Sequence, residues 1–246
     1  NPLRRALIPL MGLLDRSATA PHDQPSLREE GTRFPEFPWD LRTIIMVFPP
    51  DSPFRFLNLN VLLGITGVPF DQIKRWTGSN PMDAFDLQFC LEAKKGCVAY
   101  KRYHSIAKEL RYRPDDVYFQ LGERLHLEGH WPSYNIQYSQ PEENLHLSMQ
   151  FNSWQGFHWW AYYPDIYCHY TSFGNCKVEW RWNDSDGSID LPALHDHGWG
   201  KNMLPLKVPL RVFRYEVLRL PGPEGLSGVG LSLWTEGPFG MELKNI

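Results

Sequence analysis

The sequence predicts a mainly β protein whose strands form an antiparallel barrel or sandwich, and three observations lead to this prediction. From residue 116 onward, apolar and polar residues alternate with a period of two, as in residues 125–128 and 145–151, which is the pattern of strands with one buried and one exposed face. Short turns separate these stretches, and short spacers favour antiparallel hairpins. No long helical pattern interrupts them, so a parallel α/β sheet is not expected.

The first third of the chain carries weaker signals. Residues 1–15 are predicted to form a short N-terminal helix, because leucines recur near one face, and residues 16–40 are predicted to be an extended surface segment rich in Pro, Ser, Asp and Glu. Residues 43–48 predict a strand that ends at two prolines, and residues 54–65 form another apolar stretch, with alternating asparagines, that ends at glycines. Residues 106–112 fit either a short helix or a strand.

The later strands follow one another at the spacing of about 8–12 residues that is typical of a sandwich or barrel. The length of 246 residues fits one large β domain or two small lobes. No terminal turn closes the last strand, so the sheet is expected to continue beyond residue 246. The predicted strands lie at residues 116–121, 124–128, 134–138, 145–151, 157–163, 176–182, 208–220, 229–234 and 239–243.

Charge and hydropathy argue against several classes of partner. The formal net charge is −3 and no run of like charges stands out, so neither a nucleic-acid surface nor a polybasic membrane patch is predicted. No apolar run reaches the roughly 18 residues of a transmembrane helix. We therefore expect a soluble protein without a transmembrane segment. Nothing in the sequence indicates an oligomeric state.

The four cysteines form no CxxC pair, which argues against a structural zinc site. Cys168 and Cys176 flank an apparent turn at residues 171–175, and a disulfide between them is one alternative. The favoured alternative is four buried or half-buried thiols, with Cys90 and Cys97 as the other two, in a reducing, cytoplasmic environment.

Aromatic residues are the unusual feature of the composition. The chain has 10 Trp, 11 Tyr and 14 Phe, and Trp and Tyr are concentrated between residues 131 and 199. Large rings either fill a β core or line a ligand cavity, and composition alone favours the core. If a cavity for an apolar small molecule exists, the candidate ligand-binding residues are Trp159, Trp160, Tyr162, Trp180, Trp182, His195, His197 and Trp199.

One dense polar cluster, at residues 194–202, carries the candidate catalytic group. If this segment is extended, His195, His197 and Trp199 share one face and Asp196 lies on the other. Burial disfavours an ionised carboxyl, so Asp196 in an apolar cavity would keep a proton that it can deliver to an alkene or a carbonyl. The alternative is a structural Asp196 that accepts hydrogen bonds from turn amides.

The two histidines also raise the possibility of a metal site. His195 and His197 would supply two ligands, and His158 or His169 a third. No Glu follows at the spacing of cupin-type sites, so no metal is predicted. No dinucleotide, phosphate-loop or nucleophile-elbow motif is present, and no cofactor is predicted.

The segment at residues 187–202 resembles the carotenoid 1,2-hydratase family, with its Asp-His-x-Trp-Gly core at Asp196, His197, Trp199 and Gly200. Relatives of that family include tocopherol-cyclase-like proteins and lipocalin-like Diels–Alderases. The resemblance covers about residues 125–243, and Gly198 stands where the hydratases usually carry Asn. It implies an apolar ligand, a proton-donating Asp196 and two lipocalin-like lobes, here at residues 41–151 and 152–246 after an N-terminal segment at residues 1–40.

Three functions remain open from the sequence. The first is an enzyme, a hydratase or other lyase or a cyclase, that acts on a polyene, terpenoid or lipid-like substrate with Asp196 as acid. The second is a non-catalytic carrier or sensor of the same class of ligand. The third is a structural or partner-binding β module whose aromatic residues only fill the core. An enzyme needs Asp196 in the wall of the cavity, a carrier tolerates Asn at that position, and a module needs no cavity.

Overall fold

The computed structural model describes residue 30 and residues 39–63, 84–93, 96–106, 110–113, 118–163, 167–200, 212–221, 227–236 and 242–245. Nearly all of these residues lie in strands. The strands are β1 (Trp39–Val47), β2 (Phe54–Leu63), β3 (Ala84–Ala93), β4 (Gly96–Ile106), β5 (Leu110–Arg113), β6 (Tyr118–Leu121), β7 (Leu125–His130), β8 (Ser133–Gln140), β9 (Leu145–Tyr163), β10 (Tyr167–Trp182), β11 (Ser185–Gly200), β12 (Val212–Pro221), β13 (Ser227–Glu236) and β14 (Glu242–Asn245).

Eleven strands form one antiparallel sheet in the order β4-β3-β2-β1-β11-β10-β9-β8-β7-β6-β5, and β12, β13 and β14 form a second sheet. The predicted mainly β, antiparallel class is therefore confirmed. All neighbours in the large sheet are sequential hairpin partners except β1 and β11, which pair across the length of the chain, with Arg42 opposite His197. The large sheet curls into a half-barrel.

The curl is visible in contacts between strands that are not neighbours. Tyr134 on β8 and His195 on β11 are three strands apart in the sheet, yet their ring centroids are 4.5 Å apart. Phe54 on β2 is likewise three strands from Trp180 on β10, and their rings are 5.4 Å apart. Because adjacent strands lie about 4.8 Å apart, a flat sheet would separate such pairs by about 14 Å. These rings therefore lie on the concave face.

The hydrophobic core fills most of the concave face. Alternate residues of β7, β8 and β9, such as Leu127, Ile136 and Met149, are buried there, while the residues between them are exposed or half-buried. β10 and β9 approach closely at Gly174, where an added Cβ would lie 2.1 Å from the backbone oxygen of Asn152. The alternation that predicted these strands thus also positions their core side chains.

Several details of the prediction are corrected. The apparent turn at residues 171–175 is wrong, because these residues continue β10 without interruption. The strands predicted at residues 145–151 and 157–163 are one strand, β9, whose register against β10 shifts at two places. By sequence, residues 106–112 fit either a helix or a strand. The described residues of this stretch are strand, because β4 ends at Ile106 and β5 begins at Leu110.

Most of the N-terminal segment, the strands β3 and β4 and the division into two lobes were either not predicted or are not tested by the structure. The helix at residues 1–15 and most of the extended segment at residues 16–40 lie outside the described part of the chain. Where that segment is described, the surface prediction is wrong, because Glu30 and Asp40 are buried and β1 begins at Trp39. β3 and β4 were not predicted at all. The predicted lobe boundary between residues 151 and 152 falls inside β9, and the division into two lobes stays a prediction.

The disulfide alternative is wrong for the pair considered. Cys168 and Cys176 are buried free thiols. They lie eight residues apart on the same strand, which corresponds to about 26 Å, far beyond the roughly 7 Å between Cα atoms that a disulfide can span. Burial raises the pKa of the Cys176 thiol to about 12, so this group is not a reactive thiolate. The side chains of Cys90 and Cys97 lie outside the description.

Candidate functional site

The segment at residues 194–200 is an extended part of β11, and its side chains alternate between the two faces of the sheet. His197 and Trp199 contact each other on the concave face, with ring centroids 4.8 Å apart, and His195 lies on the same face against Tyr134. Asp196 lies on the opposite face, where the Thr171 hydroxyl donates a hydrogen bond to it. All residues of this segment are buried.

An aromatic cluster occupies the concave face at this end of the sheet. It consists of Trp159, Tyr162, Cys168, Tyr170 and Trp199. Its rings meet edge to face: the centroid of Trp159 is 4.9 Å from that of Tyr162, 5.2 Å from that of Tyr170 and 6.2 Å from that of Trp199. Trp159 and Tyr162 are only half-buried, so the cluster presents ring surface at its edge.

Trp180 and Trp182 belong to a different part of the molecule. Both pack against the main core, with ring centroids 5.4 and 5.7 Å from that of Phe54. Trp180 lies ten residues along β10 from Tyr170, which corresponds to about 33 Å. The structure therefore separates these two tryptophans from the aromatic cluster. The side chain of Trp160, the remaining aromatic candidate, lies outside the described part of the structure.

A buried polar cluster adjoins the aromatic cluster on the concave face, and the sequence analysis missed most of it. The Nε2 atom of His197 lies 3.3 Å from Oδ2 of Asp40, and Nε of Arg42 lies 3.6 Å from Oδ1 of the same carboxylate. Arg42 also donates a hydrogen bond to the backbone oxygen of Glu30, and the Glu30 carboxylate accepts one from the backbone N–H of Trp131. Arg42 is 3% exposed and Asp40 2%.

Burial shifts the protonation equilibria in this cluster. Desolvation raises the pKa of Glu30 to about 7, against the lowering effect of the Trp131 hydrogen bond and of the Arg42 charge. Desolvation and the Arg42 charge lower the pKa of His197 to about 4 and that of His195 well below its ordinary value. Both histidines are therefore neutral at pH 7. Burial raises the pKa of Tyr170 well above its ordinary value, so its hydroxyl stays protonated.

Several buried polar atoms of this region have no hydrogen-bond partner in the part of the chain that the structure describes. Among the described residues, neither ring nitrogen of His195 forms a hydrogen bond, and the same holds for Nη1 of Arg42, Nδ1 of His197 and Oγ of Ser172. Buried polar groups are satisfied in the great majority of cases, and each orphaned one costs about 1–3 kcal/mol. The polar cluster thus carries unfilled hydrogen-bonding capacity beside an apolar surface.

Asp196 has a different environment from the one that the sequence analysis considered. Its Oδ2 atom lies 2.9 Å from Nε2 of His169 and its Oδ1 accepts the Thr171 hydroxyl, so its partners are side chains of β10 and not amides of a turn. The ring of His169 also occupies the space beside Gly198, where an added Cβ would come within 3.3 Å of it. Across the sheet, Thr43 stands opposite Asp196 and donates to Asn60 at 2.6 Å.

The structure therefore brings together five of the predicted ligand-binding residues and separates them from the predicted acid. Trp159, Tyr162, His195, His197 and Trp199 share the concave face, whereas Asp196 lies on the opposite one. Asp40 and Arg42 were missed, although two charged residues spaced two apart beside an apolar stretch are a signal that could have been used. Nothing in the sequence indicates that Glu30 reaches Trp131.

The described residues contain no group of three or more His, Cys, Asp or Glu side chains placed to hold a metal ion. Within them, no helix is long and apolar enough to cross a membrane.

The curled antiparallel sheet defines a mainly β class of protein, and the solved structure of a candidate AttH, NE1406, from Nitrosomonas europaea has a similar fold. That structure is similar with a TM-score of 0.59 at 9% identity, over 93% of this chain and 70% of the other. The chain belongs to the family of unknown function DUF6670, whose model matches residues 61–223.

Two further solved structures are similar to this chain at lower scores. CghA in complex with Sch210972 gives a TM-score of 0.44 at 9% identity, and CghA alone gives 0.46 at 8% identity. This chain spans 64% of the length of CghA in both comparisons, with 92% of its own residues covered. Among curated proteins, none matches the sequence.

Proposed function

We propose that this protein binds an apolar small molecule against the aromatic cluster on the concave face of the half-barrel. The observation that carries the proposal is the half-burial of Trp159 and Tyr162, two large rings that belong to a cluster on the inside of the sheet and not on its outer surface. Concave apolar surface beside a few convergent polar groups is the usual make-up of a small-molecule site.

The energetics of such a site are favourable. A ligand that removes apolar surface from water gains about 25 cal/mol per Å², so each 100 Å² contributes about 2.5 kcal/mol before the cost of immobilising the ligand. The edge-to-face arrangement of Trp159, Tyr170 and Trp199 offers both ring faces and ring edges. The resemblance of the motif at residues 196–200 to carotenoid hydratases supports a polyene, terpenoid or lipid-like molecule as the ligand.

Fluorescence of an apolar polyene dye tests the proposal. 1,6-Diphenylhexatriene should bind saturably, with about one site per chain, and quench tryptophan emission. Trp159→Ala should weaken binding by about tenfold or more, because it removes a central ring of the cluster. Trp154→Ala is the matched control, since Trp154 is 47% exposed, and it should bind the dye like the native protein. Unsaturable binding, or equal effects of the two substitutions, would contradict the proposal and favour a structural or partner-binding β module whose aromatic residues only fill the core.

Catalysis with Asp196 as acid is the second candidate, and the Asp196–His169 pair favours it. Oδ2 of Asp196 lies 2.9 Å from Nε2 of His169, which is within the reach that general acid–base chemistry requires of its groups. Because Asp196 faces away from the aromatic cluster, a substrate protonated by it has to bind on the other side of the sheet. This candidate predicts hydration, cyclisation or isomerisation of an alkene.

Asp196→Asn separates the enzyme from the carrier or sensor. With farnesene as substrate and gas chromatography of its products, an enzyme should lose about a hundredfold or more of its turnover, the usual share of general acid catalysis. Dye binding at the aromatic cluster should persist in that variant. Native protein that binds the dye without converting any alkene would be a carrier or sensor.

A further inference from the structure

One buried side chain of the polar cluster, His195, has hydrogen-bonding atoms that the described residues leave unsatisfied. His195 is 1% exposed, and among the described residues neither of its ring nitrogens has a hydrogen-bond partner. Its ring packs against Tyr134, 4.5 Å between centroids, which provides contact but no hydrogen bond to the nitrogens. A buried group of this kind calls for a partner that the described residues do not supply.

Unpartnered atoms of two neighbours lie on the same face. Arg42 stands directly opposite His197 in the β1–β11 pair, and His195 is two residues along β11. In the described part of the chain, Nη1 of Arg42 and Nδ1 of His197 lack partners as well. Three adjacent side chains thus offer four open hydrogen-bonding atoms.

The open atoms include both donors and acceptors. Nη1 of Arg42 can only donate. Nε2 of His197 faces the Asp40 carboxylate at 3.3 Å and so carries the ring proton, which leaves Nδ1 of this neutral ring as an acceptor. Neutral His195 adds one donor and one acceptor. A hydroxyl group, which donates and accepts, fits such a set, whereas a carboxylate only accepts.

Charge also favours a neutral group. Arg42 already lies 3.6 Å from the Asp40 carboxylate and donates to Glu30, whose own carboxyl is within the same buried region. The Arg42 guanidinium already has the Asp40 carboxylate as a partner, and the histidines beside it are neutral. A ligand carboxylate would therefore add a second, uncompensated negative charge to this buried site.

The polar cluster is continuous with the aromatic cluster. The Tyr170 ring lies 5.2 Å from Trp159 on one side and 5.6 Å from His197 on the other, centroid to centroid. The open atoms of the histidines and Arg42 are buried, so a ligand group that binds them is removed from water.

We propose that the ligand of the aromatic cluster ends in a neutral hydroxyl group, which Arg42, His195 and His197 bind by hydrogen bonds. This inference rests on the proposed function and adds the class of ligand: an apolar alcohol, with its hydrocarbon part against Trp159, Tyr162 and Trp199 and its oxygen at the histidines.

Three compounds with one carbon skeleton test it: farnesol, farnesene and farnesoic acid, each titrated at pH 7.5 with tryptophan fluorescence as the readout. Farnesol should bind about tenfold tighter than farnesene and than the acid, the effect of one to two net hydrogen bonds. Saturable binding of farnesene with no preference for farnesol, or a preference for the acid, would overturn the inference and leave the proposed function standing. No saturable binding of any of the three would overturn both.

His195→Phe makes the test specific to the ring nitrogens. It keeps a ring of similar size, so farnesene should bind as before while the preference for farnesol falls to about twofold or less. His195→Gln, which retains a donor and an acceptor, should keep part of the preference and serves if the Phe variant does not fold. His130→Phe, at an exposed position, is the control and should keep the full preference. A farnesol preference that survives His195→Phe would contradict the inference.

Discussion

The raised pKa of Glu30 gives the protein a specific dependence of stability on pH. Glu30 lies with its backbone oxygen against Arg42 and its carboxylate against the N–H of Trp131, so it links β1 to the turn between β7 and β8. Burial raises its pKa from 4.5 to about 7, because the desolvated site disfavours the ionised form. The folded state therefore binds the Glu30 proton more tightly than the unfolded state does.

The sign and size of the effect follow from this difference. A group whose pKa is higher in the folded state contributes stability below its unfolded pKa and loses it as pH rises through its folded pKa. The contribution is thus present at pH 4 and lost by about pH 8. The difference between 4.5 and about 7, at about 1.4 kcal/mol for each tenfold change in the dissociation constant, amounts to about 3 kcal/mol at most.

Glu30→Gln isolates this contribution, since it keeps an oxygen that can accept from Trp131 but cannot ionise. Urea unfolding of the native protein and of the variant should be measured from pH 4 to pH 8.5. The free energy of unfolding of the native protein, minus that of the variant, should fall by up to about 3 kcal/mol over this range. Glu123→Gln, at an exposed position, should show no such fall. A flat difference for Glu30→Gln, or one that rises with pH, would refute the reasoning.

Three further substitutions have defined outcomes. Arg42→Met removes the cation beside buried Asp40 and should lower the free energy of unfolding, measured in urea, by about 3–5 kcal/mol. A decrease below about 1 kcal/mol would contradict a buried ion pair between these two residues. Gly174→Ala places a Cβ 2.1 Å from a β9 backbone oxygen and should destabilise more than Gly122→Ala, whose Cβ meets no atom within 4 Å and whose cost comes only from its φ of +50°. Equal melting temperatures would argue against that close approach. Asp196→Ala should cost about 1–3 kcal/mol, and Asp196→Asn less, because only Ala removes every acceptor for the Thr171 hydroxyl.

The parts of the fold that the sequence predicted are those that depend on local alternation. β7, β8 and β9 follow one another as hairpins, and their period-two pattern is complete within a few residues of each turn. β3 carries the same signal, with Phe85, Leu87 and Phe89 in alternation, and could have been predicted from it. The pairing of β1 with β11 joins segments about 150 residues apart in the sequence, and no local pattern predicts which distant strands pair.

The candidate site divides in the same way. The opposite orientation of Asp196 and its two flanking histidines follows from the geometry of any strand, so the sequence predicts it. Which face holds the aromatic cluster depends on the curl of the whole sheet, and this places Asp196 on the other side from Trp159. Charged Arg42 is expected at the surface from its residue type, yet a long-range pairing buries it.

Fluorine NMR of protein labelled with 5-fluorotryptophan tests the central claim most directly, because each of the ten tryptophans gives one resonance. Resonances are assigned by single Trp→Phe substitutions, and 1,6-diphenylhexatriene is then added to saturation. The resonances of Trp159 and Trp199 should shift, while those of exposed Trp154 and of the core tryptophans Trp180 and Trp182 should not. Shifts confined to Trp180 and Trp182, or no saturable shift at Trp159 and Trp199, would contradict a ligand site at the aromatic cluster.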